Sequence, residues 1–283
     1  MSFDTAVTPD AVAEMGEREV RRSVLRRWGF RLGVLVGWIA FIGSWYAVSQ
    51  FLLGAQRLPP PDAVAVEAWE LASGEGFGST LWASLVRVAG GFVLALVLSG
   101  ISGVLIAYSN WWREVLRSLA RFMVSIPTVA VAVVALILFG SRGVGPMLTA
   151  AVVATPYLMT AVARGLTGVD RRLIVMSESF ARTRSQIVTG VLVPSSVLAV
   201  IGGARQAFAL AWRISLLTEV FAASDGVGFQ IRRSFESYDI RGMLAWTVVF
   251  IAVMLVVENL VFRQLERRAF GGANRSISVE QGP

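Results

Sequence analysis

The sequence predicts an all-α membrane protein with six transmembrane helices and both termini in the cytoplasm. Hydrophobic residues make up 55% of the 283 positions, and the mean hydropathy is +0.65. A soluble protein of this length covers its surface with polar residues, so the excess of apolar side chains indicates contact with lipid. The apolar residues also fall in long uninterrupted blocks, which is typical of membrane-spanning helices.

The predicted spans follow these apolar blocks. The first, Leu32–Leu53, has 22 residues and no charge. At about 1.5 Å per residue it reaches roughly 33 Å, which is enough to cross the hydrocarbon layer. The other predicted spans cover residues 79–108, 115–140, 146–163, 195–221 and 243–262.

The orientation follows from the basic residues, all 26 of which are arginine. With a cytoplasmic N-terminus, eighteen of them fall in cytoplasmic segments and five in external ones, and basic residues concentrate on the cytoplasmic side of membrane proteins. We therefore expect a basic cytoplasmic tail over residues 1–31, one six-span domain over residues 32–268, and a polar cytoplasmic tail over residues 269–283.

Composition also excludes several kinds of site and partner. The chain has no cysteine and no histidine, which removes disulfides, Cys/His zinc sites and histidine acid–base chemistry, and we expect no metal site. The net charge of +7 does not indicate nucleic-acid binding, because the arginines follow the membrane topology. Lipid is the expected environment.

The connection between the fourth and fifth spans, residues 168–194, is much longer than the 2–8 residues that a turn between helices needs. Leu173, Met176 and Phe180 share one face of a predicted amphipathic helix, and Glu178 and Arg182 form an i,i+4 pair on the opposite face. Two interpretations remain open: docking into a groove of a cytoplasmic partner, or resting on lipid headgroups.

This connection resembles the "EAA" loop of permeases of binding-protein-dependent ABC importers. Counted back from Pro194, the spacing of that loop is kept, but Val175-Met176-Ser177 stands where the family has Glu-Ala-Ala, and Ala181 where it has glycine. The resemblance assigns coupling to an ATPase to Asp170, Val175, Met176, Ser177, Ala181, Arg182 and Pro194. The degenerate loop leaves two alternatives: it still couples, or the chain pairs with a different permease whose loop is closer to the pattern.

Other segments over residues 58–268 are similar to the nitrate, taurine and aliphatic-sulfonate branch of that family. They are Leu58-Pro59-Pro60-Pro61, residues 81–88, Gly91-Phe92, Ile126-Pro127, Leu138-Phe139-Gly140, Gly203-Ala204-Arg205, Ala211-Trp212, Glu219, Gly226-Val227-Gly228 and residues 265–268. Two positions depart from the branch: Val133 stands where relatives usually have proline, and Arg213 where they have an apolar residue.

The resemblance implies a MetI-like fold, with five core helices plus an additional N-terminal one, in the bacterial cytoplasmic (inner) membrane. It implies a dimer of permeases, identical or different, a pair of cytoplasmic ABC ATPases, and an extracytoplasmic binding protein that delivers a small anion such as a sulfonate, taurine or nitrate. The chain lacks a phosphate-binding loop of the Gly-rich Lys-Ser/Thr type. It is expected to be a non-catalytic subunit that binds no cofactor, with ATP and Mg on the ATPases.

Three arginines lie inside predicted spans, where a charge at mid-helix costs about 2.5–3.5 kcal/mol. Arg87 lies eight residues into a long span, so we expect it to reach the outer headgroups. Arg205 is expected to be structural, at helix or subunit contacts. Arg213 has no acidic residue within four positions. It either faces the translocation path and binds an anion, or makes a salt bridge or carbonyl contact across a subunit interface.

Further candidates lie at the predicted outer ends and inside the third span. The resemblance places Glu219, Gly226 and Gly228 in a gate region, with a solvated loop start as the alternative for Glu219. Pro127 is expected to kink the third span because it removes a backbone hydrogen bond. Four glycines of the second span, at positions 90, 91, 100 and 103, are expected to permit close helix contacts.

Two other functions compete with the importer permease. A membrane-embedded enzyme needs polar catalytic groups at membrane depth, and the sequence offers few carboxylates there. A stand-alone secondary carrier or channel predicts repeated halves with paired broken helices, which the sequence does not contain, and it leaves the long 168–194 connection without a role.

Overall fold

A computed structural model describes residues 32–140 and 143–278, without the side chains of Ala222, Arg268 and residues 270–278. The predicted tail of residues 1–31 and the last five residues lie outside this range. The helices, numbered in chain order, are α1 (Leu32–Leu53, π-helical over Val48–Leu53), α2 (Pro61–Ser73), α3 (Phe77–Tyr108), α4 (Asn110–Ser125), α5 (Thr128–Phe139), α6 (Val144–Thr167), α7 (Arg171–Ser179), α8 (Arg184–Ile187), α9 (Val193–Ala222), α10 (Val227–Glu236) and α11 (Ile240–Ser278). A π-helical segment, Val188–Leu192, joins α8 to α9.

The first of two compact units ends at Ala65. Within it, nearly every apolar side chain of α1 is exposed, as expected for a helix surrounded by lipid. The turn after α1 is held by side chains: the Trp45 indole donates a hydrogen bond to the Pro59 carbonyl at 3.2 Å, and the Ser49 hydroxyl donates to the Leu58 carbonyl at 2.6 Å.

The second unit, Val66 onwards, is built around α6. This helix is the most buried of the membrane-length helices in the described ranges, and it packs against α3 on one side and α9 on the other. Large side chains from α9 and α11, among them Phe208, Trp212, Phe250 and Phe262, complete the core. Together with apolar residues of α6, these side chains form the buried core of the second unit.

Small residues set the distance between these helices. A Cβ atom at Gly90 would lie 2.7 Å from the Met147 sulfur, and one at Gly91 would lie 2.8 Å from the Ala150 Cβ. Gly103 likewise faces Val162 of α6. The expected close packing is therefore confirmed for three glycines of α3, whereas Gly100 faces open space.

The predicted third span differs from the structure. Instead of one kinked helix over residues 115–140, α4 and α5 meet at an angle of 90°. Pro127 lies between them in an extended conformation, with ψ of 124°, because proline can neither donate the backbone bond nor let the residue before it remain helical. The 12 residues of α5 reach only about 18 Å, so this helix does not cross the bilayer without α4.

The remaining predicted spans are confirmed, and all but the last agree with the structure within four residues at each end. Five helices of the described ranges are long and apolar enough to cross a membrane, or six if the bent pair counts as one span. The largest differences are at helix ends. The helix of the sixth predicted span, α11, extends to Ser278, so the predicted polar tail begins as a continuation of this helix.

Candidate functional site: the outer cluster, the α9 stripe and the coupling segment

The predicted outer ends of α3 and α9 meet at a buried ionic cluster. The Arg87 guanidinium lies between two carboxylates, with its Nη1 3.2 Å from Glu219 Oε1, while its Nη2 donates to Asp225 Oδ1. Nη1 also donates to the Asp225 carbonyl at 3.0 Å. The Glu219 side chain is completely buried and that of Arg87 is 8% exposed. One cation therefore joins α3, α9 and the turn after α9.

Ser84 and the start of α10 complete this outer cluster. Glu219 Oε2 accepts hydrogen bonds from the Ser84 hydroxyl at 2.6 Å and from the Gly228 amide at 3.1 Å. The same hydroxyl accepts a bond from the Val227 amide at 2.9 Å. A buried carboxylate thus anchors the first turn of α10, whose amides have no partner within the helix.

Gly226 is the turn residue that makes this arrangement fit. Its φ is +96°, a conformation that side-chain-bearing residues rarely adopt. A Cβ atom here would lie 2.7 Å from both Arg87 Nη1 and Glu219 Oε2, and 2.9 Å from the Ser84 hydroxyl. Gly228 is also enclosed, against the backbone of α9 at Val220. Both glycines of the predicted gate region are therefore required by contact with Glu219 and its helix.

The sequence expectation for Arg87 is wrong here, and the structure excludes the alternative that was left open for Glu219. Arg87 does not reach outward to headgroups, because Glu219 and Asp225 hold its guanidinium inside the protein. Glu219 is not a solvated loop start, since it is fully buried. Ser84 and Asp225 were missed as members of the site. Charge was the available signal, because Arg87 and Glu219 carry opposite charges and each lies in the outer half of its predicted span.

Arg205 joins two helices in the opposite half of the second unit. Its Nε donates to Glu258 Oε1 at 2.6 Å, and its Nη1 lies 3.4 Å from Glu266 Oε1, so the side chain ties α9 to α11. This geometry supports the structural role expected for Arg205.

Arg213 differs from the other two intramembrane arginines because its side chain is exposed. Within the described ranges no carboxylate lies within 4 Å of it. It belongs to a stripe on α9 with alternating spacing of four and three residues, which we call the α9 stripe. Its members are Ser195, Ala199, Gly202, Gln206, Ala209 and Arg213, of which only Ala209 is partly buried.

Residues 168–194 form the predicted coupling segment. Its predicted helix is present as α7, and local bonds hold both ends of this helix. The Asp170 carboxylate accepts a hydrogen bond from the Arg172 amide at 2.9 Å and so caps the N-terminus. At the C-terminus Ala181 adopts a left-handed conformation with φ of +51°. Its amide bonds to the Glu178 carbonyl and the Arg182 amide to the Ser177 carbonyl, which is the Schellman arrangement usually completed by glycine.

Six of the seven coupling candidates are exposed, including Asp170 and Ala181 at the two ends of α7. Val175, Met176 and Arg182 are exposed on or just after α7, and Pro194 is exposed in the first turn of α9. Ser177 is buried, with its hydroxyl on the Leu173 carbonyl at 2.8 Å.

The expected ion pair between Glu178 and Arg182 does not form in the structure. The reason is the left-handed turn at Ala181, which takes Arg182 off the helix, so that the i,i+4 geometry no longer applies.

Comparison with known proteins assigns the family. Residues 91–270 match the binding-protein-dependent transport system inner membrane component family. This chain belongs to that family. As a member it is the membrane-spanning permease subunit of an ATP-driven importer, and the stand-alone carrier or channel is no longer supported.

Relatives and a solved structure agree with this family membership. The permease is 28% identical over 231 residues to the taurine transport system permease protein of Escherichia coli, covering 79% of this chain and 83% of that protein. It is 31% identical to the riboflavin transport system permease protein of Chloroflexus aurantiacus, covering 74% and 80%. The inward-facing MetNI methionine ABC transporter matches with a TM-score of 0.58 at 19% identity, covering 70% of this chain and 96% of that one, which confirms the MetI-like fold.

The family pattern also explains the backbone at Ala181. The resemblance aligns a glycine with this position, and the structure has the left-handed conformation that glycine adopts most easily. Alanine therefore occupies a turn of the kind that favours glycine.

Proposed function

We propose that this permease conducts a small anion along α9, and that Arg213 binds the anion's oxygens on the way. The observation that carries the proposal is the α9 stripe, in which an exposed arginine without a carboxylate partner in the described ranges continues a row of small and polar side chains.

The stripe has the composition of a surface that faces water or another protein. Many exposed side chains of α3 and α11 are aliphatic, such as Val97, Ile101, Ile251 and Leu255, as expected for contact with lipid. An arginine that faced hydrocarbon at this position would cost about 2.5–3.5 kcal/mol. The stripe is therefore better explained by a path or a subunit contact than by lipid.

An anion suits the chemistry of Arg213 better than a neutral solute. The guanidinium group offers paired N–H donors that match the oxygens of sulfonate, nitrate or carboxylate. Because α9 supplies no carboxylate within one turn of Arg213, the positive charge stays available to a ligand. The taurine permease among the relatives supports a sulfonate as the transported solute. The riboflavin permease makes riboflavin the main alternative solute to test.

The partners that we propose follow from the same surfaces. A second permease, identical or different, packs beside the α9 stripe so that two stripes enclose one path. Two cytoplasmic ATPases, carrying ATP and Mg, bind the exposed apolar side chains of α7. An extracytoplasmic binding protein docks on the outer surface that covers the outer cluster, and the permease itself lies in the bacterial cytoplasmic membrane. Purifying the tagged complex and identifying every subunit tests each of these partners and distinguishes one kind of permease from two.

Transport in proteoliposomes tests the role of Arg213. With the purified complex and its binding protein, we expect uptake of taurine or nitrate but not of riboflavin. Arg213→Gln should reduce the uptake rate about tenfold or more, because a hydrogen bond to a charged group contributes about 1.5–3 kcal/mol, and Arg213→Lys should lie between the two.

The matched control is Arg263→Gln. It removes the same charge from an exposed arginine of α11, outside the stripe, the coupling segment and the outer cluster, and should leave uptake unchanged. Normal uptake and normal substrate-stimulated ATP hydrolysis in Arg213→Leu would refute the path role. Riboflavin uptake that is indifferent to Arg213 would refute the anion and leave the permease assignment intact.

A further inference from the structure

A cavity beside the coupling segment is not used by any role described so far. It has a volume of about 440 Å³ and lies between α4, α7 and α8. Arg113, Arg182 and Arg184 line it together with a single carboxylate, Glu178. Three cations against one anion leave an excess of positive charge in a space large enough for a small ligand.

Arg113 contributes a buried hydrogen-bond donor to the lining of this cavity. Its Nε atom is buried and has no hydrogen-bond partner among the described residues. None of the three arginines lies within 4 Å of a carboxylate in the described ranges, although other arginines of the same face do form such pairs, as Arg117 does with Glu114 at 2.8 Å. Buried polar atoms are normally paired, so a ligand with acceptor oxygens would complete the site.

The surroundings of the cavity indicate the depth of the membrane interface. The residues before Arg113 are Trp111 and Trp112, an edge-on pair with centroids 4.8 Å apart, and tryptophan gathers where the hydrocarbon meets water. The apolar helix α3 ends just before them, at Tyr108. Aliphatic side chains, including Ile174 and Ile187, form the rest of the wall. Guanidinium groups above aliphatic walls at this depth suit a headgroup with its chains in the bilayer.

We propose that this cavity binds the phosphate of an anionic phospholipid headgroup. The phosphodiester accepts hydrogen bonds from Arg113 and Arg184, the fatty-acid chains leave along the apolar wall, and Glu178 limits affinity by repulsion. Because the site joins α4 to α7 and α8, a bound lipid ties the coupling segment to the membrane-embedded helices. The proposal does not depend on which solute the permease carries.

Titration of the purified full-length permease in detergent tests the site. The probes are dihexanoyl-phosphatidylglycerol, dihexanoyl-phosphatidylcholine and inorganic phosphate, each followed by calorimetry. We expect the phosphatidylglycerol to bind at least tenfold more tightly than either other probe. Arg113→Gln and Arg184→Gln should each weaken that binding about tenfold, whereas Glu178→Gln should strengthen it several-fold because it removes the repelling charge.

Arg121→Gln is the matched control, since it removes an arginine from the same helix outside the cavity and should leave affinity unchanged. Thermal unfolding identifies any variant that fails to fold; Arg184 is exposed on the short helix α8, so Arg184→Gln still tests the site if Arg113→Gln does not fold. Equal affinity for the two lipids, an equal loss in Arg121→Gln, or weaker binding in Glu178→Gln would overturn the proposal. Phosphate that competes at the same affinity would overturn the lipid as the ligand.

Discussion

The outer cluster and the coupling segment each stabilise a turn between helices, but they do so through different kinds of contact. Each turn contains a residue with positive φ, which is Gly226 in the outer cluster and Ala181 in the coupling segment. The outer turn is held by side chains more than 130 positions apart in sequence, as in the bond from Ser84 to Glu219. The coupling turn is held by bonds between residues no more than five positions apart.

This difference follows from burial. A buried carboxylate and guanidinium need several partners each, because an unpaired charge inside the protein is strongly unfavourable. The coupling segment keeps its charges in water, so that its shape needs only an N-terminal cap and a backbone motif. Such a segment tolerates exchange of side chains while its fold persists. This explains how the spacing of the EAA loop, which this segment resembles, can persist without that loop's signature residues.

The largest expected effect is the loss of Arg87. In Arg87→Leu the buried Glu219 loses its cation and is left with one hydroxyl and one amide partner, so we expect the variant to be destabilised by about 3–5 kcal/mol. Thermal or denaturant unfolding of the purified permease in detergent measures this. The double variant Arg87→Leu/Glu219→Leu should recover most of the loss, because it removes both charges. If the single variant is as stable as the natural protein, the cluster is not the scaffold that we describe.

Gly226→Ala should have the next largest effect. The added Cβ would meet Arg87, Glu219 and Ser84 within 2.9 Å and would have to adopt a φ of +96°, for which we expect a loss of about 1–3 kcal/mol in unfolding experiments. Gly100→Ala is the control, because that glycine is in a helix and faces open space. It should be neutral or stabilising by up to about 1 kcal/mol. Similar results for the two variants would contradict a tightly packed outer turn.

The sequence was sufficient for much of the fold and for little of the outer cluster. The spans could be predicted because long apolar blocks and the arginine distribution are properties of single segments. The break at Pro127 was predicted in position but not in size. The 90° angle depends on how α4 and α5 each pack against α6. The residues between α4 and α5 do not determine this packing.

The cluster was missed because it depends on contacts between distant segments. Arg87 taken alone has two plausible environments, headgroups or a buried anion, and only the approach of α9 decides between them. The left-handed turn at Ala181 could not be read from the residue itself, since alanine rarely adopts it. The family spacing, which puts a glycine there, was the only signal.

Ala181→Gly should sharpen the contrast by making the coupling turn easier to form. Glycine removes the steric penalty of the left-handed conformation, so we expect the turn to gain about 1 kcal/mol. Hydrogen exchange at the Arg182 amide, which bonds to the Ser177 carbonyl, should slow about fivefold. In Ala130→Gly, at an exposed position of a regular helix, local exchange should instead become faster. Faster exchange in Ala181→Gly would contradict the assignment of a strained turn.

The smallest expected effect on stability, Phe180→Ser, separates folding from partner binding. Phe180 is 75% exposed at the end of α7, so its removal should change the free energy of unfolding by no more than about 0.5 kcal/mol. If this face docks on an ATPase, burial of the ring contributes about 1.5–3 kcal/mol there, and recovery of the ATPase with the tagged permease should fall about tenfold or more. Phe235→Ser makes the same change at a phenylalanine that is 69% exposed on the face that the arginine distribution predicts to be outer, and it should leave recovery unchanged. Equal recovery of the ATPase with the two variants would mean that the exposed apolar face of α7 rests on lipid instead. Of the two regions compared, only the outer cluster would then have a defined role.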